Sequence, residues 1–221
     1  GAMRRRRGRT PGPRRRFAPM RWRLLYTPGL AAVENMALDA ALMERARRTG
    51  ERVLRVYTWR RPTLSLGRNQ TARGLYDPEA AHARGVEVVR RPTGGRAVLH
   101  HREVTYSVTG PAGGGGSGGG SGDNDSLRDA YASINRLLLD GLRRLGVRAE
   151  LARPATRAPL PTGAPCFETP TEGELVVDAR KLVGSAQYRE QDAFLQHGSI
   201  LIDDDQPMLS SLATTPVEAP P

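Results

Sequence analysis

The spacing of the last strands constrains this chain more than any other feature. Glu174–Val177, Lys181–Tyr188 and Ala193–Ile202 read as extended segments. They are separated only by the turn-prone pairs and triplets around Asp178-Ala179 and Glu190-Gln191-Asp192. Connections this short join antiparallel neighbours, because a parallel crossover needs a dozen or more residues. The upstream half adds short strands at Trp22–Tyr26, Thr63–Leu66 and Val86–Arg90, and a strand, turn and strand across Ala97–Val108. Val53–Trp59 alternates, with Val53, Arg55, Tyr57 and Trp59 on one face and Leu54, Val56 and Thr58 on the other. Asn35 opens a helical pattern carried by Leu38, Ala41, Leu42 and Ala46 and stopped at Gly50, and Glu79–Arg84 forms a short helix. The strongest helix is capped by Asp125, turns Leu127, Ile134, Leu138, Leu142 and Leu145 to the core and ends at Gly146. Strands interleaved with helices and hairpins give an α/β (α+β) fold, a mixed, largely antiparallel sheet flanked by helices.

The 221 residues suit one domain with a hydrophobic core. The formal charge of +11 invites a nucleic-acid reading, but eight arginines precede Phe17 without one acid, and subtracting those eight leaves +3. The basicity therefore belongs to a Pro/Gly-punctuated tail over residues 1–19 that cannot bury a core, with no apolar stretch after it to make a secretory signal. Gly1 and Ala2 ahead of Met3 read as a cleavage remnant. The domain is expected over 20–205 and a tail over 206–221, the chain stopping short of a complete domain. Residues 112–122, AGGGGSGGGSG, are a flexible coil inside the domain, with the regularity of an engineered loop replacement. No apolar run approaches the roughly 18 residues of a membrane span, and the one cysteine, Cys166, excludes an internal disulfide. Both point to a soluble protein of the cytoplasm, binding neither nucleic acid nor membrane.

Three constellations carry chemistry. In Arg90-Arg91-Pro92-Thr93-Gly94-Gly95-Arg96-Ala97-Val98-Leu99-His100 a strand ends in a glycine pair and returns as a strand. Glycines let backbone N–H groups approach a ligand carbonyl or phosphate, and arginines add positive charge. The same residues also describe a tight turn with exposed arginines, and they match neither a Walker loop nor a dinucleotide fingerprint. Cys166, in Ala164-Pro165-Cys166-Phe167-Glu168, lies between proline-rich segments rather than in an apolar periodic run, which suits an accessible thiol; a lone cysteine is also commonly structural. Lys181 is the only lysine among 34 basic residues. A chain that otherwise uses arginine retains here a compact, deprotonatable ammonium, although a hairpin turn also simply solvates charge. No pair among His100, His101, His197 and Cys166 has the usual zinc-ligand spacing, so no metal is expected.

Taken in order from about Trp22 to Asp204, NMALDAALM, RRPTGGRAVLH, EVTYSV, CFE, ELVV, ARKLVGSAQ and LQHGSIL resemble the biotin/lipoate protein ligase and acyltransferase family. Within it they look like the octanoyltransferases of lipoate biosynthesis that use a cysteine and a lysine. The resemblance implies a biotin/lipoate protein ligase-like catalytic domain. It implies an octanoyl group passed from octanoyl-acyl carrier protein through a thioester on Cys166 to a lysine of a lipoyl domain, such as glycine cleavage H protein or E2 subunits. It makes Cys166 and Lys181 catalytic and assigns substrate binding to Arg91, Thr93, Gly94, Gly95, Arg96, His100, Gly184, Ser185, Ala186, His197 and Gly198. No cofactor is implied, and the protein is expected to be a monomer.

The alternatives within the family are an ATP-dependent lipoate ligase and an enzyme moving octanoyl between two lipoyl domains. Ligases carry three consecutive glycines where this chain has Gly94-Gly95-Arg96, and a thiol nucleophile is superfluous for an acyl-adenylate. Both departures favour the transferase. A non-catalytic relative that only binds acyl groups or lipoyl domains is the third possibility.

Overall fold

The computed structural model describes residues 22–71, 75–112, 123–152 and 173–214. The Arg-rich tail, Gly/Ser residues 113–122, Cys166 and the last seven residues lie outside them. The chain runs β1 (Trp22–Leu30), α1 (Ala32–Thr49), β2 (Arg52–Trp59), β3 (Thr63–Leu66), α2 (Pro78–Ala83), β4 (Glu87–Arg90), β5 (Val98–His100) and β6 (Glu103–Pro111). It continues through α3 (Asp123–Arg144), β7 (Glu150–Leu151), β8 (Leu175–Val177), β9 (Arg180–Glu190), β10 (Ala193–Leu201) and α4 (Met208–Leu212).

Among the described residues two sheets form. The larger has the order β1-β2-β6-β10-β9-β8-β7, and the smaller the order β4-β3-β5. In the large sheet only β1 and β2 are parallel. The mixed, largely antiparallel sheet expected from the hairpins is therefore present. The turns that impose it sit in the left-handed region at Asp178 (φ 49°), Ala179 (φ 61°) and Gln191 (φ 51°), as tight hairpin connections require.

Side-chain alternation gives the large sheet two apolar faces. Tyr106, Val108, Val183 and Phe194 pack under Ile134 and Leu139 of α3 on one side. On the other side α1 lies across β6 and β10, with Met43 and Ala46 on Ala193 and Leu195. The small sheet has its own core of Leu64, Leu66, Val86 and Leu99, closed by Ala81 of α2 and by Leu209 and Leu212 of α4. α1 thus covers one part of a sheet face while the small sheet approaches another, and the functional cavity lies between them.

Expectations for the helices and for the C-terminal end need correction. α1 begins three residues before Asn35, where Glu34 Oε2 accepts the Ala31 N–H at 2.8 Å. Its buried stripe is Ala32, Asn35, Met36, Asp39, Leu42, Met43 and Ala46, while Ala41 is exposed. α3 is already helical at Asp125, which is therefore not its cap, and Leu145, just past the last helical residue, is 81% exposed. Packing also continues beyond residue 205: Gln206 brackets the backbone of Leu99, accepting its N–H at 3.1 Å and donating to its carbonyl at 2.7 Å, and α4 buries Leu209 and Leu212. A five-residue helix has too few turns to show a period, so only the face it covers reveals it.

Candidate active site

β2, β6, β10 and β9 run side by side, so residues paired across them form rows on the face shared with α1. One row is Tyr57, Thr105, Ser199 and Gly184, and the next is Arg55, Ser107, His197 and Ala186. Above these rows Met36, Trp59, Ser65, Arg91, Gly95, Val98 and His100 close a cavity of about 60 Å³. Eight expected binding residues line it: Arg91, Gly95, His100, Gly184, Ser185, Ala186, His197 and Gly198. Thr93, Gly94 and Arg96 do not.

Glycine is required at the cavity's tightest points. A Cβ on Gly198 would stand 2.4 Å from the Gly184 carbonyl oxygen, 2.8 Å from Tyr106 and 2.9 Å from Ser185 Oγ. A Cβ on Gly67 would stand 1.9 Å from the carbonyl oxygen of Gly95, itself at φ 93°. The Gly-Gly turn is thus pressed against the chain leaving β3, and Arg91 locks it in place. The Arg91 guanidinium donates to the carbonyls of Ser65 (2.9 Å), Gly94 (2.9 Å) and Arg96 (2.6 Å). In these bonds the cation fixes the backbone of the turn.

Two buried polar clusters support the walls. In the first, the His100 ring stacks on Trp59, with centroids 4.3 Å apart. Its Nδ1 meets Glu103 Oε1 at 2.7 Å and its Nε2 meets Ser65 Oγ at 2.7 Å. Thr105 and Ser199 hydroxyls donate to the same Glu103 oxygen at 2.6 and 2.8 Å. Burial pushes the Glu103 carboxyl up, but His100 and these hydrogen bonds outweigh it and hold it below the usual range.

The second cluster centres on residues that sequence reasoning did not single out. Asp39 on α1 and Arg55 on β2 are fully buried and paired at 2.8 Å. Arg55 also donates to Thr27 Oγ1, the Asn35 carbonyl and Asn35 Oδ1, and lies 3.8 Å from the Tyr57 ring centroid. Asp39 accepts from Ser107 Oγ at 2.7 Å and Tyr57 OH at 3.2 Å. His197 Nδ1 faces Asp39 Oδ2 at 3.3 Å, and its Nε2 meets Thr93 Oγ1 at 2.7 Å. Burial lowers the His197 pKa, against the pull of Asp39. The ring is then neutral, donating through Nδ1–H to Asp39 and accepting the Thr93 hydroxyl at Nε2. Asp39 is raised by burial, but its contacts with His197, Arg55 and Ser107 outweigh that and hold it ionised. Arg55, whose charge is permanent, secures that direction.

Lys181 does not line the cavity. Alternation along β9 puts it with Val183, on the side packed under α3, and its Nζ is 2.8 Å from Glu174 Oε1, both side chains being buried. Ala152 N–H donates to the Glu174 carbonyl at 2.7 Å and Gly173 N–H to the Ala152 carbonyl at 3.1 Å. Ala152 and Gly173, which flank the segment that holds Cys166, therefore meet beside the partner of Lys181.

Comparison with known proteins agrees with this architecture. Residues 31–219 match the lipoyl protein ligase A/B catalytic domain. Octanoyltransferase LipM of Kyrpidia tusciae is 46% identical over 201 residues, covering 88% of this chain and 71% of that protein. The LipM of Carboxydothermus hydrogenoformans is 45% identical over 83% of this chain and 66% of its own length. That of Bacillus subtilis is 38% identical over 89% and 71%. The chain thus spans about two thirds of the length of these relatives. Among solved structures, a lipoate protein ligase from T. acidophilum with bound lipoic acid superposes with a TM-score of 0.68 at 22% identity, over 90% of this chain and 75% of that one. Lipoate-protein ligase A bound with ATP gives 0.67 at 22%, over 90% and 72%. At such identities the likeness is one of fold.

Proposed function

The chain belongs to the lipoyl protein ligase A/B catalytic domain family, and from that membership we propose that it is a protein octanoyltransferase of lipoate biosynthesis using Cys166 as nucleophile and octanoyl-acyl carrier protein as donor. One observation carries the reading: the cavity behind the Gly94-Gly95 turn combines Met36, Tyr57, Trp59 and Val98 with the backbone of β9 and β10, a slot for an unbranched acyl tail. The names of the relatives, octanoyltransferases across most of this chain, support the same reaction.

The chemistry balances without nucleotide. The Cys166 thiolate attacks the thioester carbonyl of the donor; a C–S bond forms as the carrier's C–S bond breaks, and the carrier leaves as a thiolate that takes up a proton. The amine of a lipoyl-domain lysine then attacks the acyl-enzyme, forming the amide, losing a proton and returning the Cys166 thiolate. Thioester exchange is nearly even in free energy and amide formation is downhill. The acceptor in this reading is a lipoyl domain such as glycine cleavage H protein or an E2 subunit. Lys181 supplies positive charge near the thiolate and the acyl carbonyl, lowering the thiol's pKa from about 8.5. What supports pairing these two residues is that Ala152 and Gly173, which flank the Cys166 segment, meet beside Glu174, the ion-pair partner of Lys181. Among the described residues no helix is long and apolar enough to cross a membrane, and the reaction is assigned to the cytoplasm.

The deciding experiment is intact-mass measurement after mixing the protein with octanoyl-acyl carrier protein without nucleotide. One octanoyl group should appear, be released by hydroxylamine and be absent from Cys166→Ala. An adduct that survives in Cys166→Ala removes the thiol from the mechanism. Transfer from free octanoate that needs ATP returns the protein to the ligases.

A further inference from the structure

A second space, a groove of about 340 Å³, lies on the same sheet face as the cavity. The same four elements wall both. On α1, Met36 lines the cavity while Ala40 and Met43 line the groove. On β9 the division runs between Ala186 and Tyr188, on β10 between His197 and Leu195, and in the turn after β4 between Arg91 and Pro92. The spaces are therefore neighbours along one direction, one helical turn or two strand residues apart, which is about 6–7 Å.

What stands between them is the hydrogen-bonded chain Asp39, His197 and Thr93. Asp39 lies on α1 between Met36 and Ala40. Thr93 follows Pro92 and reaches down to His197 Nε2 at 2.7 Å, and His197 is held by Asp39 at 3.3 Å. All three are buried, with Asp39 and Thr93 fully so. Beyond them Leu195, Ala193 and Met43 form an apolar floor to the groove, while Glu44, Arg47 and Glu190 are among its other walls.

This inference rests on the reading above, in which the cavity takes the acyl tail. Along β9, Gly184 to Ala186 line the cavity and Tyr188 lines the groove, so a tail that extends along β9 toward Tyr188 meets the His197–Thr93 bridge. We propose that this bridge is the chain-length determinant: it ends the cavity, excludes acyl tails longer than octanoyl, and separates them from the apolar floor of the neighbouring groove, which would otherwise accept them. The role assigned to Thr93 and His197 is thus a polar stop for the acyl tail, kept rigid by Asp39.

The test is direct binding of octanoic and dodecanoic acids to the full chain by calorimetry, with the parent, His197→Ala, Thr93→Ala and His197→Ala combined with Ala40→Phe. The parent should favour octanoate. Opening the bridge in either single variant should move the dodecanoate-to-octanoate affinity ratio by about tenfold or more toward the longer acid, since each buried methylene adds several-fold. Ala40 is exposed and lines only the groove, so a phenylalanine there should fill the extension and restore the octanoate preference. A ratio unchanged in His197→Ala and Thr93→Ala, or a gain that Ala40→Phe leaves intact, overturns the proposal. A general loss of affinity with the ratio preserved does the same, because it marks a merely structural role. A parent that binds neither acid overturns the proposal too, whereas failure of the acyl-transfer reading shows separately, as the absence of an octanoyl adduct from octanoyl-acyl carrier protein.

Discussion

Arg55→Met should be among the most damaging single changes outside the cavity lining. The guanidinium is fully buried and meets Asp39 at 2.8 Å, Thr27 Oγ1 at 2.8 Å, and Asn35 through both its carbonyl and side-chain oxygens. Methionine fills much of the volume but removes the charge, leaving Asp39 buried with only the Ser107, Tyr57 and His197 contacts. Breaking a buried pair from one side costs about 3–5 kcal/mol. Against the ~5–15 kcal/mol of a typical domain this is a large fraction, and it lowers Tm by about 10 °C for a chain of this size. The pH dependence identifies the cause. In the parent, the Asp39 pKa is depressed, so its contribution is present above the unfolded pKa and is lost as pH falls through the folded value. Without Arg55 that depression is relieved, the carboxyl protonates at higher pH, and the penalty shrinks. Urea unfolding should therefore show the gap between parent and Arg55→Met narrowing from pH 7 to about 4. Arg55→Met with Asp39→Asn should recover at least half of the loss at pH 7. A gap below about 1 kcal/mol, a gap constant with pH, or a double variant no more stable than the single would refute the reasoning.

Two further outcomes test the site. Gly198→Ala should reduce octanoyl transfer at least about tenfold and lower Tm by several degrees, because its Cβ meets a backbone oxygen at 2.4 Å that can yield only if β9 moves; wild-type activity and melting would show that the strand gives way freely. Lys181→Ala should shift thiol alkylation of Cys166 to higher pH and slow transfer most near neutrality, whereas Lys181→Arg keeps the charge and should preserve alkylation better than transfer. Overlapping alkylation curves for parent and Lys181→Ala would leave Lys181 only a positioning role.

The sequence by itself determined the local geometry of this protein. Two-residue turns at Asp178-Ala179 require antiparallel neighbours whatever surrounds them, and the alternation in Val53–Trp59 assigns its faces before any partner is known. The Gly94-Gly95 turn was recognisable for the same reason: a backbone that must approach closely leaves its mark in residue type. The Gly184–Ala186 stretch and Gly198 were reached only through the family resemblance. Burial of polar groups is not local, and there the reading stopped. Asn35 and Asp39 sit on a helix whose apolar residues alone suggested a face including Ala41, yet Arg55 from another element turns the stripe so that both are buried and Ala41 is exposed. Leu145 is apolar but stands exposed just past the end of α3, and α4 is too short for a period and becomes visible only through the small sheet it covers. His197 and Thr93, 104 residues apart, carry no mark of each other in sequence; the tertiary structure alone brings them to 2.7 Å. A hydrogen bond depends on where two chains meet, and that meeting is decided by the packing of α1 and the small sheet onto the large one.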